Sequence, residues 1–93
     1  MKIQHREKLN KEFRHLRRGE KYQVRRTFSD YDRITHPVGE VWKFIGSNFV
    51  PYHCGLSLFA KIGKREQQVR LQWTPEEQAT VIETLEEYLR PYA

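Results

Sequence analysis

The sequence predicts an α+β domain: a four-stranded antiparallel meander, strongly bent or closed into a small SH3-like barrel, flanked by a basic N-terminal helix and an amphipathic C-terminal helix. Three observations carry this. Four short segments between residues 21 and 73 alternate apolar and polar side chains, Gly, Pro and Asp punctuate the gaps between them, and a 3.6-residue apolar stripe follows near the C-terminus. Ninety-three residues suffice for one small domain, divided on this reading into a basic helical extension at 1–18 and a compact α+β unit at 19–93.

Residues 4–18 read as a helix because Leu9, Phe13 and Leu16 fall at i, i+4 and i+7, Glu7 and Lys11 form an acid-to-base pair, and Gly19 supplies a stop. Its stripe is short, so the helix docks on its own domain or on a second copy; a monomer and a homodimer through this helix both stay open.

In residues 21–28 Tyr22, Val24 and Phe28 share a face, with Gln23 and Arg25 outward. Ser29 to Arg33 is a polar turn of the kind short Asp side chains favour, and His36-Pro37-Val38-Gly39 is a second irregular stretch. Residues 40–46 form the next strand around Trp42 and Phe44. Residues 56–62 and 67–73 pair across the Gly63-Lys64 turn, with Val69, Leu71 and Trp73 inward. Thr74, Pro75 and Glu77 read as a capped start to a helix over 75–90, whose core face is Val81, Ile82, Leu85, Tyr88 and Leu89.

Charge is segregated. Residues 1–26 carry a net +7, residues 27–72 a net +2 and residues 73–93 a net −4. No apolar run approaches the length of a membrane span, and the first twenty residues contain no signal-peptide core. With a single cysteine, Cys54, the expectation is a cytoplasmic protein without membrane contact.

Catalytic chemistry finds little support. His53 adjoins Cys54, but neighbours on an extended chain point to opposite sides, so His53 is poorly placed to activate the thiol. Asp30, Asp32, His36, His53 and Cys54 lack the spacing of a structural zinc site. The expectation is therefore a non-enzyme with no metal and no cofactor. Two binding readings follow. The first is a protein-binding module that contacts an unidentified partner through Asp30, Tyr31, Asp32, His36, Phe49, Tyr52 and Arg70, since aromatic and Arg side chains dominate interface hot spots. The second is a nucleic-acid binder using Lys8, Lys11, Arg14, Arg17, Arg18 and Arg25 on the basic helix and first strand.

One longer pattern runs through Phe28, Asp30-Tyr31-Asp32, His36 to Glu40, Trp42, Phe44, Gly46, Phe49, Pro51-Tyr52, Gly55 to Phe59 and Arg70 to Trp73. Over residues 19–90 it resembles a family of small bacterial proteins known as a domain of unknown function, departing from it at His53-Cys54, where that family tends to be acidic. An adaptor or immunity-type role is the narrower expectation that size and class alone suggest, whereas the resemblance implies only a compact bacterial, cytoplasmic module. It supplies no activity.

Overall fold

A ten-residue strand organises the molecule. In the computed structural model, which describes residues 6–92, β6 (Val41–Val50) lies at the centre of an open five-stranded antiparallel sheet ordered β8-β7-β6-β3-β9. Its neighbours are β7 (Gly55–Ile62) and β3 (Lys21–Val24); β8 (Arg65–Gln72) and β9 (Leu89–Pro91) form the edges. Two small ribbons complete the strand set: β1 (Glu12–Phe13) with β2 (Leu16–Arg17), and β4 (Phe28–Ser29) with β5 (Thr35–His36).

The barrel expectation is overturned by this order. The edge strands β8 and β9 do not pair with each other, so the sheet stays open, and it has five strands rather than four. The fifth comes from the far end of the predicted C-terminal helix. That helix is replaced by α1 (Ala79–Glu83) and α2 (Leu85–Tyr88), after which Leu89 turns extended and pairs with Val24. The break lies at Thr84, whose hydroxyl donates to Thr80 O at 2.6 Å, a local bond that competes with helix continuation. The expected cap is also diverted, because Glu77 binds Arg33 rather than closing the first turn.

The N-terminal helix is absent as well. Of its expected span, residues 4 and 5 lie outside the described residues. The remainder is a 3-10 turn at Arg6–Lys8 followed by the β1–β2 hairpin, which turns through Arg14 in the left-handed region at φ +51°. The helix expected to carry a homodimer is therefore not formed. Tertiary pairing explains the difference. Asn10 exchanges both backbone hydrogen bonds with Ser47 at 2.9 Å, Gly19 N–H donates to Phe44 O, and Phe44 N–H donates to Glu20 O. Beyond the end of β3, the N-terminal segment thus satisfies the exposed edge of β6. Gly46 permits the approach: a Cβ there would lie 2.7 Å from Leu9 Cβ and 3.0 Å from Asn10 O. The Tyr22 hydroxyl clamps the hairpin by accepting from Arg17 N–H at 2.7 Å and donating to His15 O at 3.1 Å.

The core lies between the inner face of the sheet and α1–α2. Trp42, Phe44, Leu56, Leu58, Val69 and Leu71 come from the sheet, Ile82 and Leu85 from the helices, and Leu16 from the N-terminal hairpin; each is almost wholly buried. The outer face carries Lys43, Ser57, Lys61, Gln68 and Arg70. No helix among the described residues is long and apolar enough to cross a membrane.

Candidate functional site

The β4–β5 ribbon carries the chemistry-bearing side chains. Its turn is built by Asp30, whose Oδ1 accepts the backbone N–H of Asp32 at 2.9 Å and of Ile34 at 3.0 Å, while its own N–H donates to Ile34 O. Such a self-bonding turn is what a short carboxylate favours. Asp30 Oδ2 faces His36 Nε2 at 2.9 Å, and His36 Nδ1 faces Glu40 Oε1 at 2.7 Å. The same Glu40 oxygen accepts the Trp42 indole N–H at 2.7 Å. His36 stacks on Phe28 with centroids 4.9 Å apart and meets Trp42 edge-on at 5.5 Å. The Asp30 and His36 side chains are both about 3% exposed.

Ionised carboxylates only accept hydrogen bonds, so His36 satisfies both partners only by donating from both ring nitrogens, unless one carboxyl carries the proton. Either way both nitrogens are occupied, and none faces a nucleophile or an open ligand position. Among the described residues no group of three or more His, Cys, Asp or Glu side chains could hold a metal ion. A buried network of this kind fixes geometry, and what it fixes is the turn above it.

From that turn Tyr31 N–H donates to Arg70 O at 2.7 Å, joining the ribbon to the edge of β8. The Arg70 guanidinium lies 5.4 Å from the centroid of the Tyr31 ring and its Nε is 3.3 Å from Asp32 Oδ2. Arg33, at φ +66°, makes a two-pronged bond to Glu77 with both distances 2.8 Å. That hydrogen bond, reinforced by the opposite charge, holds the Glu77 carboxyl below its usual range and raises the Arg33 guanidinium.

The residues singled out in the sequence therefore occupy three places. Asp30 and His36 are buried, and Tyr31, Asp32 and Arg70 stand together at the surface above them. Phe49 packs edge-on against Trp73 at 5.7 Å while remaining partly exposed, and Tyr52, on the 3-10 turn Pro51–His53, is 96% exposed. A surface concavity of about 520 Å³ is lined by Tyr31 and Arg70, by Ser57 opposite Arg70, and by Asn48, Val50 and His53, while Phe49 and Tyr52 do not line it.

The basic residues do not form one helical face. Arg14 lies over the Phe13 and Trp73 rings, Arg17 pairs loosely with Glu12 at 3.9 Å, and Arg18 Nε donates to Ile45 O. Lys8, Lys11 and Arg25 are exposed. Two members of the buried network, Glu40 and Trp42, were not among the residues singled out. The available signal was the i,i+4 spacing of His36 and Glu40 across a Pro–Gly turn, with an indole two residues on.

No curated protein matches the chain. Among solved structures, an integron cassette protein from the mobile metagenome of Vibrio cholerae is similar, at 40% sequence identity and a TM-score of 0.91, over 94% of this chain and 97% of that one. The model of a domain of unknown function, DUF3601, matches residues 2–91, taking in the N-terminal hairpin together with the buried Asp30–His36–Glu40 network, and the chain belongs to that family.

Proposed function

We propose that the protein is a non-enzymatic, protein-binding module of a bacterial system, in the manner of an adaptor or immunity protein. Its contact surface is the concavity lined by Tyr31, Arg70 and His53, with Asp32 beside Arg70 and exposed Tyr52 on the same turn as His53; Phe49, packed on Trp73, is left out of it. The observation that carries this reading is the Tyr31–Arg70 stack, held at the surface by a turn whose carboxylate is locked to buried His36. Pre-organised aromatic and Arg side chains beside a concave surface are what interface hot spots are made of. The bacterial origin of the integron cassette relative supports the setting.

The test is affinity capture from nuclease-treated bacterial lysate at two salt concentrations, with wild-type protein and with Tyr31→Ala, Tyr52→Ala and Arg70→Ala. A single partner retained by wild type and lost from folded Tyr31→Ala and Arg70→Ala supports the surface. Equal capture by all four proteins places the contact elsewhere.

A further inference from the structure

Three lysines stand in one register row across three adjacent strands. Lys21 of β3 is opposite Lys43 of β6, and Lys43 is opposite Lys61 of β7. All three are exposed, and among the described residues none of them forms an ion pair. Like charges directly opposite one another destabilise a sheet, so the row opposes folding. Beyond Lys61 the row reaches Glu66 of β8, which leaves the excess positive charge over β3 and β6.

The other end of the row is aromatic. Tyr22 is opposite Pro91, so Tyr92 comes opposite Lys21, where its N–H donates to Lys21 O at 2.9 Å; Tyr92 is 48% exposed. Exposed Arg90, opposite Gln23, adds a cation beside it. A concavity of about 340 Å³ lies over the row, lined by Lys21, Val41, Lys43, Lys61 and Gly63.

We propose that this face binds single-stranded nucleic acid, with Lys21, Lys43 and Lys61 against the phosphate backbone and Tyr92 as the stacking surface for a base. Strands about 4.8 Å apart make the row about 10 Å long, more than one phosphate group spans. A cationic track beside an exposed ring is the arrangement by which proteins hold single strands without reading sequence. This surface is separate from Tyr31 and Arg70, and Ser57 and Lys61 place the two about 13 Å apart along β7.

Fluorescence anisotropy with a short labelled single-stranded oligonucleotide, titrated over a range of salt, tests the assignment. With three phosphate contacts, log affinity should fall against log salt with a slope of about −2. The combined Lys21→Gln, Lys43→Gln, Lys61→Gln variant should flatten that slope while melting no lower than wild type, because the like-charge row is gone. Tyr92→Ala should weaken binding about five- to hundredfold. The proposal is overturned if wild type does not bind the oligonucleotide, or if the triple variant binds with the wild-type slope. It is equally overturned if the slope is lost in Lys8→Gln/Lys11→Gln instead, or if duplex DNA or inorganic triphosphate displaces the strand as well as unlabelled strand does.

Discussion

Glu40 and Trp42, two residues apart, are joined by an indole N–H that donates at 2.7 Å to the carboxylate oxygen facing His36 Nδ1. One oxygen thus holds the imidazole that braces the turn and the indole that anchors the start of β6 in the core. The contact surface and the sheet centre share a hydrogen-bond acceptor.

Removing a carboxylate from this network should be costly. Asp30→Ala would leave His36 Nε2 and the N–H groups of Asp32 and Ile34 without their acceptor. The expected loss is about 3–5 kcal/mol, read as a lower urea midpoint. Asp30→Asn, which retains an oxygen for the two backbone donors, should lose less.

Leu16 is wholly buried in the core cluster although it belongs to the N-terminal hairpin. Leu16→Ala should therefore lower stability by about 2–5 kcal/mol in chemical denaturation. A change near zero would mean that the hairpin is dispensable to the fold.

Gly46→Ala should destabilise by about 1–3 kcal/mol, since the added methyl meets Leu9 Cβ and a backbone oxygen, neither of which moves freely. Hydrogen exchange should show the amides of Asn10 and Ser47 losing protection before those of β7.

The Arg33–Glu77 pair sets one acid-sensitive contact. A carboxyl held low in the folded state contributes stability that is fully present above the unfolded carboxylate range and is lost as pH falls through the lowered folded value. Arg33, raised, stays charged throughout the accessible range and adds no slope there. Thermal melts of wild type and Glu77→Gln should differ at neutral pH, converge in acid, and differ less at high salt.

The strands of the sheet were legible where side chains alternate. Residues 67–73 read as a strand and β8 runs Arg65–Gln72; the apolar stripe Val81, Ile82, Leu85, Tyr88 and Leu89 is buried as its spacing implied. The failures came where two periods coincide. Leu9, Phe13 and Leu16 fit a helical face, yet Phe13 and Leu16 are partners across a two-residue turn, and what decided the matter was the unfilled edge of β6, a long-range demand that no local pattern records. Likewise Leu89 continues the helical stripe but leaves the helix because β3 offers it a partner. At the site, the aromatic and Asp residues of the turn were visible as types. Their division into a buried support and an exposed contact was not, since burial depends on which element covers the turn.

The pairing of β9 with β3 has a consequence for how the chain is made. His15 Nε2 donates to Leu89 O, a carbonyl 74 positions further along, and Val24 waits for the same residue. During synthesis β3 and the N-terminal hairpin can pair with β6 as soon as it emerges, but the other edge of β3 has no partner until Leu89 is made. Contacts this distant slow folding and leave an open strand edge exposed meanwhile. A nascent chain arrested before Leu89 should therefore show the amides of β3 that face β9 exchanging faster than those that face β6, even with the β6–β7–β8 meander already paired.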